Sequence, residues 1–193
     1  MKRLLVMACA LATTVAQAQP GYSTAITGDV HDFDYLVGAW TTTEHVLKDR
    51  SVANDNWDVF QTTGCISPYL DGVVQVGEFY IASKGRAGLT VWTFDLERHQ
   101  WWIRSVSGRT GQMDPGVAGG FSGNTGYLYG ADTDKGRPIK VRQTWTEIDH
   151  DHVRWEEAWS YDDKTWVTNW KGEFTRTDPT TACEGGRPKR GPK

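Results

Sequence analysis

The sequence predicts an all-β domain, a single antiparallel closed barrel of about ten strands with a short N-terminal helical turn. Three observations predict it. From Val37 onward, short runs alternate apolar and polar side chains with a period of two, and none sustains a helical period. Turn-forming residues punctuate these runs at nearly regular intervals, which suits hairpins rather than crossovers. One face of the last runs is built from tryptophan, ten of which occur in 193 residues. A meander of this kind closes on itself or leaves two open edges.

The chain begins Met1-Lys2-Arg3, continues through the apolar "LLVMACALATTVA" and reaches Ala16-Gln17-Ala18. That is the pattern of a signal peptide over residues 1–18 ending at a small-residue cleavage site, with Cys9 too close to Arg3 to serve as a lipidated cysteine. Residues 19–30 read as a flexible N-terminal segment, 31–176 as the barrel and 177–193 as a tail. The tail is expected to be tied back by a disulfide between the two cysteines that survive processing, Cys65 and Cys183, the alternative being two free buried thiols. The loop-entropy model gives such a bridge about 4–5 kcal/mol. The product is expected in the periplasm or outside the cell. No later run is long and apolar enough for a transmembrane helix. Formal charge is −3, and −5 once Lys2 and Arg3 are removed, with four basic residues in the tail "RPKRGPK". An acidic body of this kind excludes nucleic acid as a partner.

In chain order, "HDFDYL" predicts the helical turn, and strands are expected at 37–48, 57–67, 73–82, 88–96, 100–107, 117–121, 125–130, 138–148, 152–161 and 165–176. Leu70-Asp71-Gly72, Glu97-Arg98-His99, Ser122-Gly123-Asn124, Lys135-Gly136, Asp149-His150-Asp151 and Asp162-Asp163-Lys164 supply turns. "SYDDKTW" looks like the Asp-box turn of sialidases with a residue missing and its Gly absent, and a single copy stabilises a hairpin without implying sugar cleavage. The alternation assigns faces. In 138–148, Ile139, Val141, Gln143 and Trp145 point one way. In 152–161 the matching set is Val153, Trp155, Glu157, Trp159 and Tyr161. In 165–176 it is Trp166, Thr168, Trp170, Gly172, Phe174 and Arg176. The opposite faces are largely charged, so the aromatic faces are the buried ones.

The opening stretch carries a resemblance. Gly38-Ala39-Trp40, after "HDFDYL", resembles the Gly-x-Trp signature of the lipocalin and wider calycin superfamily. There the Trp closes one end of the barrel and a basic residue at the end of the last strand packs over it. Arg176, after "GEF", stands at the matching place. Together "HDFDYLVGAW", "VWTFDLERHQWWI", "SGRTGQMDPGVAGGF", "GRPIKVRQTWTEI" and "RWEEAWSYDDKTWVTNW" resemble an uncharacterised bacterial family of exported lipocalin-like proteins, known mainly as a domain of unknown function. The resemblance covers about residues 31–176. It implies a calycin-type barrel and no particular activity.

Polar residues on an aromatic inner wall point to a small-molecule cavity, because a solid core would leave them unpaired. The expected ligand is a small hydrophobic or aromatic molecule, met by Glu44, Trp102, Gln143, Trp145, Trp155, Trp159 and Thr168. In "QWWIRSVS" the inward set is either Trp102, Arg104 and Val106 or Trp101, Ile103 and Ser105. The first is favoured, since it offers Arg104 as a partner for Glu157 or Glu44. Such a pair opens an alternative function, a cofactor-free lyase, hydratase or isomerase with Glu157 as base and Arg104 as oxyanion stabiliser. A structural envelope protein with a solid barrel is the second alternative. The Gly-rich loop 107–120 is a candidate lid carrying Arg109 and Asp114, or else a plain surface loop. No metal or other cofactor is expected: "DHDH" at 149–152 reads as a solvated turn, and neither His45 nor His99 has a clear inward phase for haem.

Overall fold

Ten strands run in chain order around a closed ring: β1 Gly38–Leu47, β2 Trp57–Tyr69, β3 Val74–Ile81, β4 Arg86–Asp95, β5 Gln100–Ser107, β6 Val117–Ser122, β7 Thr125–Asp134, β8 Arg137–Asp149, β9 His152–Ser160 and β10 Val167–Thr177. The computed structural model describes residues 25–190, so the expected signal peptide, residues 1–18, lies outside the described residues. Each strand pairs antiparallel with its chain neighbours, and β1 also pairs with β10, which removes both edges. The strands lie where the alternation puts them to within two residues at each end, except for β7, and β10 departs in phase as well. β7 runs four residues past its expected end, because Lys135 and Gly136 both take positive φ (49° and 81°) and fold a tight turn that keeps 131–134 on the ladder with β8. β10 starts two residues later than expected and carries a bulge.

That bulge is the chief departure from strict alternation. Thr168 stands opposite Ala158 and Trp170 opposite Glu157, so Asn169 is the extra residue on β10. Phase reverses there. Trp170 and the residues after it keep the expected inward face, whereas Trp166 and Thr168 lie outside, Trp166 against Tyr129 and Arg142. The expected inward set 166, 168, 170 is therefore broken in the middle.

Residues 29–37 cross one end of the barrel and seal it. Phe33 is fully buried and meets Trp101, Phe121 and Trp145 edge-on at centroid distances of 5.2, 4.9 and 5.7 Å. The crossing segment's carbonyls are bound by side chains from the wall: Trp101 Nε1 donates to Asp29 O (2.9 Å), Gln75 Nε2 to Phe33 O (3.0 Å) and Trp40 Nε1 to Leu36 O (2.8 Å). Arg176 lies over the Trp40 ring at 4.2 Å and donates to Tyr35 O, Val37 O and His150 O. Gly38, at φ 131°, admits this contact, since a Cβ there would stand 2.9 Å from the guanidinium. Above this floor the interior is aromatic, with Trp92, Trp145, Trp155, Phe79 and Phe174 in a chain of ring contacts.

The C-terminal segment clasps the outer wall. After the Asp178 cap, whose Oδ1 accepts from the Thr180 N–H, comes α1 Pro179–Ala182, then a short hairpin of β11 Cys183–Glu184 and β12 Arg187–Pro188. Cys65 is on the outward phase of β2 and is joined to Cys183 by a disulfide across 118 residues. No helix among the described residues is long and apolar enough to cross a membrane.

Candidate functional site

The strand register sets inward residues side by side along two ladder lines. Trp101, Gly119, Leu128, Gln143, Glu157 and Trp170 follow one another along adjacent strands. On the other side of the ring Thr62 pairs with Thr42, Phe60 with Glu44, Glu44 with Gly172 and Gly172 with Trp155. Glu157 and Glu44 both enter the barrel on this register, and their surroundings differ.

Glu157 is a junction of three donors. Gln143 Nε2 reaches its Oε2 (3.0 Å), while Trp159 Nε1 (2.9 Å) and the Arg50 guanidinium (2.5 Å) reach its Oε1. Trp145 Nε1 lies 3.4 Å from Gln143 Oε1 and extends the network downward. With Glu157 only 13% exposed, pairing of this quality is what makes the burial tolerable.

Glu44 has a simpler environment. It is 6% exposed, and its Oε2 accepts from Trp170 Nε1 at 2.6 Å. Burial pushes its carboxyl up to about 7, against the opposing pull of the Trp170 bond. Around it, three polar atoms aimed into the barrel have no partner among the described residues: Thr42 Oγ1, Thr62 Oγ1 and Trp155 Nε1. Gly172 makes this crowding possible, since a Cβ there would press to 3.0 Å on Phe174 and 3.4 Å on Glu44.

The partner of Glu157 is not the one expected from sequence. Arg104 is exposed on the outer wall, stacked on Trp102 at 5.2 Å, and Trp101 and Ile103 take the inward phase. Trp102 lines an outer groove of about 520 Å³ with Arg98, Gln100, Ala118 and Tyr129. The physical reason is that Trp101 is needed at the sealed end, where its ring meets Phe33 and Phe94. Arg104 therefore cannot stabilise an oxyanion in the barrel beside Glu157. Thr168 is outside as well, by the bulge.

Loop 108–116 is a hairpin extension that continues the β5 ladder through Val106 and Met113, with its residues 108–115 exposed. Arg109 sits at its solvent-facing turn. Asp114, beside inward-phase Ser105, accepts from the Ser105 N–H at 3.0 Å. Its carboxyl is raised by loss of water and by the negative charges of Glu157 and Asp132. Gln143, Trp145, Trp155 and Trp159 face the interior.

Sequence reasoning missed Arg50. It belongs to the nine-residue link between β1 and β2, whose composition "KDRSVANDN" reads as solvated loop. It also missed Asn169, 0% exposed, whose Oδ1 accepts from Arg50 Nε (3.2 Å) and Nη2 (2.9 Å). At the same end Lys84 bonds Asp58 and lies 3.6 Å over the Phe60 ring. The signal available was length: a nine-residue link at the open end can fold inward, but nothing local says which of its side chains does so.

His45 is on the outer wall against Trp57, and His150 and His152 pair with Asp151 and Asp149 at an exposed turn. Among the described residues no group of three or more ligating side chains gathers.

Fold and interior together define a class: a closed, ten-stranded antiparallel barrel that fits a calycin-like build, with a Trp-rich aromatic interior. No protein-family model matches the chain, and no curated protein matches it. Among solved structures it is similar to a redesigned β barrel (12% identity, TM-score 0.43, covering 79% of this chain and 99% of that one). It is also similar to EF1p2_mFAP2b bound to DFHBI (14% identity, TM-score 0.39, 77% and 98% covered). A third is a protein of unknown function of the DUF3598 family from Nostoc punctiforme (12% identity, TM-score 0.41, 86% and 53% covered). These are likenesses of outline, and none assigns a family or a ligand.

Proposed function

We propose that this protein is an exported small-molecule binder that holds a compact, largely apolar or aromatic molecule in the barrel beside Glu44. One observation carries the reading: Thr42 Oγ1, Thr62 Oγ1 and Trp155 Nε1 are buried around Glu44 with no partner among the described residues. A buried unpaired polar group costs about 1–3 kcal/mol. Three on one stretch of wall make a standing preference for a guest that supplies partners. The surrounding rings of Trp155, Trp170 and Phe174 favour a flat apolar body. Glu44, near neutrality, can donate to a ligand acceptor when protonated or accept from a ligand hydroxyl when ionised. The Cys65–Cys183 disulfide is compatible with an oxidising compartment.

The test is titration of intrinsic tryptophan fluorescence with 1-naphthol and with naphthalene, which lacks the hydroxyl. Saturable quenching by 1-naphthol, tighter than by naphthalene and weakened in the double variant Thr42→Val/Thr62→Val, is expected. Absence of saturable quenching by either compound would show an interior filled by its own side chains.

A further inference from the structure

The mouth of the barrel holds a second recognition element, and its occupant is part of the chain. Arg50 lies with its guanidinium 4.1 Å from the Trp159 ring and 5.2 Å from that of Trp170. It donates to Glu157 Oε1 at 2.5 Å and to Asn169 Oδ1 at 2.9 and 3.2 Å, and Asn169 Nδ2 donates back to Arg50 O at 3.1 Å. A carboxylate, an amide oxygen and two aromatic faces around one planar cation are the components of a cation receptor.

Cage and guest are built on different supports. The cage belongs to the sheet: Glu157 and Trp159 are on β9, Asn169 is the bulge residue of β10, and Gln143 on β8 fixes the second Glu157 oxygen. The guest belongs to the link 48–56. Most of that link's bonds are internal, between Asp49 and Ser51, Asn54 and the Asp49 and Val52 carbonyls, and Lys48 and Asn56. Beyond Arg50, its ties to the barrel among the described residues include Ser51 to Tyr161, the charge of Lys48 near Asp58 and that of Lys135 near Asp49. The cage is therefore carried by the wall, whereas Arg50 is carried by a link whose bonds to that cage run through its own side chain and its carbonyl. At the rim Asp114 stands within Coulombic reach of Glu157 and Asp132, which adds negative potential at the entrance.

We infer that Arg50 is an internal occupant of a cation site at the barrel mouth, and that this site takes planar organic cations, amidinium or guanidinium groups, when the 48–56 link lifts away. The inference rests on the reading that the barrel admits a small molecule, and it adds the charge and shape of the group presented at the mouth. A tethered guest competes at high effective concentration, so the wild-type protein binds an external cation weakly, and removal of Arg50 exposes the full affinity.

Benzamidine is the probe and benzamide its neutral isostere, both titrated by tryptophan fluorescence against the full chain. Arg50→Ala is expected to bind benzamidine at least about tenfold more tightly than wild type, by relief of the competition. Benzamide should gain less than about twofold, and Arg50→Ala/Glu157→Gln should lose the benzamidine gain. Equal gains for the two probes, or no gain for benzamidine, overturn the inference. If Arg50→Ala does not fold unaided, refolding yields in benzamidine and in benzamide are compared, and equal yields likewise overturn it. A 1-naphthol titration on the same samples separates the two readings. Naphthol binding that persists while benzamidine fails strikes the mouth site alone, and failure of both strikes the interior site as well.

Discussion

Glu44→Gln isolates the cost of placing a carboxylate in this barrel. The folded-state carboxyl titrates at about 7 and the unfolded one at about 4.5. Because the folded value is raised, the folded state holds its proton longer than the unfolded chain does. Any contribution of Glu44 to stability is therefore greatest below pH 4.5, falls as the pH rises toward 7, and stays flat above that. Each pH unit of difference is worth about 1.4 kcal/mol, so the loss between the two plateaus is roughly 3 kcal/mol. Gln keeps an oxygen for the Trp170 N–H and does not ionise. Wild type minus Glu44→Gln should thus change by roughly 3 kcal/mol between pH 4.5 and 8, in favour of the variant at high pH. Urea denaturation at half-unit steps, followed by tryptophan fluorescence, measures this difference while other titrations cancel between the proteins. A difference constant across that range would refute the reasoning, since it would mean that Glu44 is as well hydrated when folded as when unfolded.

Other perturbations test other parts of the structure. Arg176→Ala removes the ring contact with Trp40 and strips three carbonyls of a charged donor, for a loss of about 3 kcal/mol in urea denaturation. Phe33→Ala opens a cavity under the sealed end and should cost about 3–5 kcal/mol by the same measurement. Removing the disulfide with Cys65→Ser/Cys183→Ser frees a closure of 118 residues, worth about 5 kcal/mol in the loop-entropy model and read as a drop in Tm against the oxidised protein. Arg104→Ala, on the outer wall, should leave stability within about 0.5 kcal/mol and naphthol binding unchanged.

The candidate site is partly legible in the sequence. Gln143, Trp145, Trp155, Glu157 and Trp159 share an inward face because period-two alternation holds unbroken over 140–147 of β8 and 153–160 of β9, and Glu44 follows from the inward phase of Trp40. Alternation failed where a single residue could reverse it. In β5 both phases put a tryptophan inside, and the choice depended on Phe33, which arrives from another part of the chain. In β10 the bulge at Asn169 turned Trp166 and Thr168 outward without any Gly or Pro to announce it.

Local chemistry in the sequence thus determined the all-β class, the strand order and most of the aromatic inner face, because hairpin turns and a period of two depend on near neighbours. Contacts between distant residues were decided only by closure. Arg50 and Glu157 are 107 positions apart and Glu44 and Trp170 are 126 apart, and they meet because β1 zips against β10. Whether an inward carboxylate ends in an ion pair, as Glu157 does, or with one neutral donor and its carboxyl pushed up to about 7, as Glu44 does, depends on which side chains the closed ring delivers to it, a property of the tertiary arrangement that no single strand contains.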